Sequence, residues 1–458
     1  MEKTKQRSKR GTFVGASVAG ILLVPGLLFF SYVEAPDLFQ TTYSAPASET
    51  AQAGPPPIDK STLSIHLPTP TPVKSIYMTQ CVAGTPDFRA KLVKIAEDTE
   101  INTIVIDIKD YSGRTSFPSD DPMLKGSESP TCSADDMKAF VRSLHEKGIY
   151  VIGRITVFQD PYYTALHPEL AIKKASATTT VWKDYKGLSF IDAGAQPFWD
   201  YIIELSKESF ALGFDELNFD YIRFPSDGDM KDIYFPYSDK TVSAEPDTGK
   251  AQVIEEFFKY LTAHLRDYAV TSLDASGNII EAKPVLSADL FGMTTTNVDD
   301  LNIGQVLERT LPYFDYVDPM TYPSHYPKWF NGWENPNQHI YGVIQFSLEN
   351  AVRRTLATTT VIQTLASGPS LSTSTAIYAK PVYDINKIRP WLQDFDYGGN
   401  YGPKEVRDQI QATYDVGLNS WMLWDAANNY TVDALEEKDS ASSSATTSLS
   451  TTNRTDAE

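Results

Sequence analysis

Cysteine, histidine and positive charge are all scarce in this 458-residue chain. Its 2 cysteines are too few for a disulfide scaffold or a four-thiolate zinc site. Cys81 and Cys132 are open to either a single disulfide or two free thiols. The 6 histidines show no HExxH or related spacing, so no metal cofactor is expected. Lysine and arginine number 40 against 59 acidic residues, a net charge of -19. That balance excludes the basic face with which a protein holds nucleic acid. What the chain does have is apolar and aromatic content. Hydrophobic residues make up 41% and aromatic residues 12%, with 25 Tyr and 7 Trp, enough to fill a core and to stack on flat ligands.

The charge is unevenly spread. Residues 1–10 carry Lys3, Lys5, Arg7, Lys9 and Arg10 against Glu2, a net +4, which leaves -23 for the rest. Gly11 to Val33 follows without a charged residue. A basic head before an apolar run reads as a membrane anchor or a signal peptide. The length of the run favours a retained single-pass anchor, with the remainder outside the cytoplasm. Cleavage near Val33-Glu34-Ala35 and secretion are the alternative. Residues 1–35 are therefore expected to reach the membrane. Residues 36–72, rich in Pro, Ser and Thr, read as a tether, and 437–458 as a disordered Ser/Thr tail. One folded block, 73–436, lies between them.

Within that block, short apolar runs alternate with helical patterns. Strands are expected over 75–80, 103–110, 150–157, 214–224, 284–292, 316–322, somewhere in 380–394, and 420–426. Helices are expected near 87–99, 133–147, 196–212, 252–268, 303–311, 348–356 and 403–416, the second capped by Ser133 and stopped by Gly148. Eight strands, each followed by a helix or helical turn, is the count of a (β/α)8 TIM barrel with long βα loops. A doubly wound sheet is the alternative, weakened by the lack of a Gly-rich turn after the first strand.

Strand alternation then sorts the polar residues. Ile104, Ile106 and Ile108 oppose Asp107 and Lys109; Leu217, Phe219 and Tyr221 oppose Glu216, Asn218 and Asp220; Leu286, Ala288 and Leu290 oppose Ser287 and Asp289. In a barrel the apolar face meets the helices, and the polar face points inward and up to the C-terminal mouth. Arg154, Thr156, Asp318, Tyr322 and Trp424 join the inward set. Asp107, Asp220, Asp289 and Asp318 thus converge, with Glu216 deeper. Glycosidic cleavage needs two carboxyl groups, one to protonate the leaving oxygen and one to attack or to activate water. Trp391, Trp424 and the Trp329/Trp333 pair offer faces for sugar rings. The structural readings run alongside. Asp107 and Lys109 form an internal ion pair, Glu216 is the buried partner of Arg154, Asp318 shapes a turn before Pro319, and the tryptophans pack.

Five segments carry a resemblance: Ile104-Val-Ile-Asp-Ile-Lys-Asp110, Phe214-Asp-Glu-Leu-Asn-Phe-Asp-Tyr-Ile-Arg-Phe-Pro225, Ser287-Ala-Asp-Leu-Phe-Gly292, Asp318-Pro-Met-Thr-Tyr-Pro323 and Arg389-Pro-Trp-Leu-Gln393. They resemble a bacterial family of glycoside hydrolases known mainly as a domain of unknown function. The resemblance spans nearly all of 73–436 and implies a TIM barrel. A more distant likeness is to chitinase-type glycosidases. Asp215, Asn218 and Asp220 fall near those enzymes' aspartates, but Ile222 stands where their catalytic glutamate would be. Met320-Thr-Tyr322 and Met422-Leu-Trp424 are similar to their sixth and eighth strands.

The expectation is a glycoside hydrolase acting on a cell-surface or environmental polysaccharide. Asp220 is its nucleophile or base, Asp289 its general acid, and Asp318 the substitute acid. Asp107, Lys109, Arg154, Asn218, Arg223, Tyr322, Trp391, Gln393 and Trp424 contact substrate. Two other classes stay open: a non-catalytic carbohydrate-binding surface protein, and a metal-dependent polysaccharide deacetylase or esterase.

Overall fold

The computed structural model describes residues 58–363 and 375–438. Eight parallel strands close into a barrel in chain order: β1 (Lys74–Met78), β2 (Thr103–Lys109), β3 (Tyr150–Thr156), β4 (Glu216–Asp220), β5 (Val285–Phe291), β6 (Tyr316–Met320), β7 (Trp391–Gln393) and β8 (Trp421–Trp424). β8 returns to pair with β1, so no barrel strand is left as an edge. Among the described residues, the helices between them include α1 (Pro86–Asp98), α2 (Met137–His145), α3 (Gln196–Leu212), α4 (Gly249–Arg266), α5 (Leu307–Thr310), α6 (Ile340–Leu356) and α7 (Pro403–Asp415).

The alternation in sequence is the alternation in space. Ile104, Ile106 and Ile108 belong to the core between strands and helices, whereas Val105, Tyr150, Ile152 and Met422 fill the barrel's interior. α2 shows the matching helical half of that core. Its buried Met137, Phe140, Val141 and Leu144 recur at helical spacing and face the barrel. Full burial of each such side chain contributes about 1.5–3 kcal/mol. α2 begins at Met137, after Asp136 and not after the expected Ser133; Gly148 takes φ 73 where the chain turns into β3.

The expected tether overruns its true end. From Asp59 onward the chain is docked on the barrel's N-terminal face. His66 is buried between Ser272 (2.6 Å) and the Phe210 carbonyl (2.9 Å), and Thr69 bonds the Tyr150 hydroxyl. Leu67 packs on the interior cluster, and its N–H donates to Asp215. Its Pro-rich composition hid this, because the segment is held by side-chain and edge contacts and not by a periodic face. The expected anchor (11–33), most of the tether and nearly all of the tail lie outside the described residues. Among the described residues, no helix is long and apolar enough to cross a membrane.

Candidate active site

The C-terminal ends of the strands open into a two-lobed cleft. One lobe, about 200 Å³, is lined by Asp220, Asp289, Tyr322, His325, Trp391 and Phe291 among others. The second, about 340 Å³, is lined by Tyr77, Asp107, Tyr111, Gln159 and Lys186 among others. Arg154, Tyr221, Arg223 and Trp424 line both.

Register explains why the acids meet. Asn218 pairs with Ser287 and Phe219 with Ala288, which brings the ends of β4 and β5, and so Asp220 and Asp289, side by side. Asp289 pairs in register with Asp318 of β6, and Asp107 of β2 with Arg154 of β3. Arg154 gathers three of them. Its Nη1 donates to Asp107 Oδ1 at 2.6 Å, its Nη2 donates to Asp220 Oδ2, and its Nε lies 3.7 Å from Asp289 Oδ2. Tyr77 donates its hydroxyl to the other oxygen of Asp107. Strand four ends at Asp220 because Tyr221 has φ 50, a left-handed conformation that is costly for an aromatic residue. That turn aims the Tyr221 N–H at Asp220 Oδ1, 2.5 Å away, and swings the Tyr221 ring into the cleft, off the helix-facing side expected for it.

Asp289 stands apart from the other acids. Its Oδ1 accepts from Asn218 Nδ2 (2.9 Å) and Trp391 Nε1 (2.8 Å), while among the described residues Oδ2 accepts no hydrogen bond. Burial, then the Asp220 and Asp318 charges, push its carboxyl well above the usual carboxylate range. Burial likewise pushes Asp107 up to about 6, with Arg154 pulling the other way. The Tyr322 hydroxyl is raised by burial and by Asp289 and Asp220, so it stays a donor.

An aromatic wall closes one side. Trp424 stacks on Tyr77 at 3.9 Å with 18° between planes, meets Trp391 edge to face, and carries Arg154 4.9 Å above its ring. Such a wall suits the apolar face of a sugar ring.

Eight of the expected site residues line the cleft: Asp107, Arg154, Asp220, Arg223, Asp289, Tyr322, Trp391 and Trp424. Four do not. Lys109 is fully buried, 2.9 Å from Asp160, and donates to the Thr156 carbonyl. It is therefore not the partner of Asp107, which Arg154 takes. Asn218 lies below the cleft and bridges Ser287, Asp289 and Asp318. Asp318 is held by Arg389 through Nε (3.1 Å) and Nη2 (3.0 Å). Gln393 accepts from Ser324 and donates to the Phe395 carbonyl. Glu216, expected to pair with Arg154, is bound by Arg389, Ser287 and Tyr150 instead. Asp215 sits at the opposite end of the barrel, accepting from Val151 N and near His145 Nε2. Trp329 is exposed and Trp333 stacks on His339. Among the described residues, no cluster of three or more His, Cys, Asp and Glu has metal-binding geometry.

Sequence reading missed Tyr77, Tyr221 and His325. Tyr77 was within reach, since it alternates with Ile76 and Met78 in β1. Tyr221 was not, because its backbone conformation leaves no local signal.

A family model described as "Putative glycosyl hydrolase domain" matches residues 75–430. No curated protein matches the sequence. Among solved structures, a hypothetical protein from Ruminiclostridium thermocellum is 30% identical over 47% of this chain and 96% of its own, with a TM-score of 0.37. The glycoside hydrolase domain of PgaB (BpsB) from Bordetella bronchiseptica is 14% identical over 81% of this chain and 97% of its own, with a TM-score of 0.52, a likeness of fold.

Proposed function

The chain belongs to this family of glycosyl hydrolase domains, and on that premise we propose that it cleaves a polysaccharide with Asp289 as general acid and Asp220 as nucleophile. The observation that carries the assignment is the contrast between the two neighbours. Asp289 is a buried carboxyl driven toward its protonated form, with one oxygen free of hydrogen bonds among the described residues. Asp220 is a carboxylate held by the Arg154 guanidinium and the Tyr221 N–H. A carboxyl raised by burial beside one held by a cation divides the acid role from the nucleophile's. Asp289 gives its proton to the glycosidic oxygen as the C–O bond breaks. Asp220 attacks the anomeric carbon, and water later hydrolyses the glycosyl ester with Asp289 as base. Adjacent parallel strands lie about 4.8 Å apart, in keeping with the ~5 Å carboxyl separation of retaining enzymes. Trp424, Trp391 and Tyr77 hold the ring.

The same reading places the domain outside the cytoplasm. The Cys81–Cys132 disulfide and the basic head before the apolar run support it. The test is a glycan screen of the full chain beside Asp220→Asn. Loss of turnover by about 10²–10⁴-fold in the variant is expected. Full hydrolytic activity in Asp220→Asn would remove that residue from the chemistry.

A further inference from the structure

We propose that the outer lobe of the cleft receives an anionic group of the glycan, a carboxylate or a sulfate ester, between Lys186 and Arg223. The proposal rests on the glycoside hydrolase reading of the same cleft. Both cations line the larger lobe, and Arg223 also lines the lobe that holds Asp220 and Asp289. In a chain of 59 acidic and 40 basic residues, a cation facing a cleft has carboxylates at hand to pair with. Four buried cations do so, since Arg154, Arg389, Arg354 and Lys109 each bind an acid, whereas buried Lys173 and Lys250 donate to backbone carbonyls. Lys186 and Arg223 make no such ion pair among the described residues.

Arg223 is held in place without being used up. Its Nη1 donates to the Phe224 carbonyl (3.3 Å) and Ser226 Oγ (3.1 Å), and the guanidinium sits 4.8 Å from the Tyr221 ring centre. Among the described residues Nε and Nη2 take no hydrogen-bond partner, and a guanidinium edge matches the two oxygens of a carboxylate or sulfate. Lys186 stands at a fixed turn. Asp184 Oδ1 accepts from the N–H groups of Lys186 (2.9 Å) and Leu188 (2.8 Å), and Gly187 adopts φ 81. The Lys186 charge adds to burial in lowering His325 of the other lobe. Asp184 and Asp227 share the lobe's wall. Both oppose an anion there, although the turn's N–H groups engage one oxygen of Asp184. The net charge of -19 repels a polyanion at long range, which confines recognition to this lobe.

The test is calorimetric titration of the native full-length chain with oligogalacturonate, sulfated galactan, cello-oligosaccharide and chitosan oligosaccharide. Asp220→Asn replaces the native chain for any probe that is turned over. At least one anionic series should bind about tenfold tighter than the neutral and cationic ones, and Lys186→Ala and Arg223→Ala should each erase about that much. Arg223→Lys, which keeps the charge and loses the fork, should fall between. Rising salt should weaken the anionic series alone. Whether the uronate or the sulfated probe binds identifies the group. Equal binding of neutral or cationic probes, no binding of either anionic series, or a preference that survives both alanine variants overturns the proposal. Anionic binding that depends on Lys186 and Arg223, without turnover by the native chain, would leave this proposal standing and count against hydrolysis instead.

Discussion

Arg389 and Arg154 each bridge carboxylates inside one barrel, at different depths. Arg389 is fully buried and spends Nε, Nη1 and Nη2 on Glu216 and Asp318, whose remaining capacity goes to Ser287, Tyr150 and Asn218. None of these residues lines the cleft. Arg154 reaches the mouth, binds Asp107 and Asp220, and leaves its buried Nε without a hydrogen bond beside Asp289. The groups are alike, but among the described residues the Arg389 network leaves unpaired only Asn218 Oδ1, away from the cleft, and the other has a donor and an acceptor to spare beside a cavity. A nearly saturated network specifies packing. An unsaturated one beside a cavity is where a substrate can add the missing partner.

The sharpest way to break that contrast is to remove one acid from each side. Asp289→Asn keeps the shape that Asn218 and Trp391 hold and loses the proton. It should lower kcat by about 10²–10⁴-fold with little change in thermal stability. Asp318→Asn should do the reverse, losing stability while most of kcat survives; its pH–rate profile should move to lower pH, because the Asp318 charge helps to raise Asp289. If Asp318→Asn lowered kcat as far as Asp289→Asn does, the deeper acid would belong to the chemistry and the division by depth would fail.

The next effect in size concerns the closed network alone. Arg389→Met leaves Glu216 and Asp318 buried without their cation. Breaking a buried ion pair from one side costs about 3–5 kcal/mol. Denaturant unfolding should show that loss. Adding Glu216→Gln and Asp318→Asn should recover much of it, because the uncompensated charges are then gone. No recovery would mean that the network's hydrogen bonds, and not its charges, hold the barrel interior.

How much of this was legible in the sequence follows from the same contrast. Alternation places Asp107, Arg154, Asp220 and Asp289 on the inner face of a closed barrel, and the strand count defines that barrel. Alternation carries no depth along the strand. It could not tell Asp318, locked to Arg389, from Asp289, open to the cleft. Nor could it assign partners. Lys109 and Asp107 lie on one strand, two residues apart, yet Asp160 and Arg154 from other segments take them. Tyr221 and Lys186 depend on a left-handed turn and a loop tip, where periodicity says nothing. Asp59 to Pro72 read as a tether because a docked, non-periodic segment has the composition of a free one.

The smallest expected effect concerns pH and separates the networks by access. Asp107 and Asp318 are both raised to about 6 from an ordinary value near 3.8, chiefly by burial. In the folded protein each therefore holds its proton up to about pH 6, while the unfolded chain releases it near pH 4. Folding stability contributed by either group is present below about pH 4 and is lost as pH rises toward 6, with a slope of at most about 1.4 kcal/mol per pH unit. Asp107→Asn should flatten that fall in unfolding measurements between pH 4 and 7, as should Asp318→Asn in its own right. The networks then part on adding an oligosaccharide. Asp107 lines the cleft, so a bound sugar changes its surroundings and should change its share of the slope. Asp318, sealed beneath Asn218 and Arg389, should keep its share. A ligand that altered the Asp318 share and left that of Asp107 untouched would place the binding surface in the closed network and reverse the reading of the two arginines.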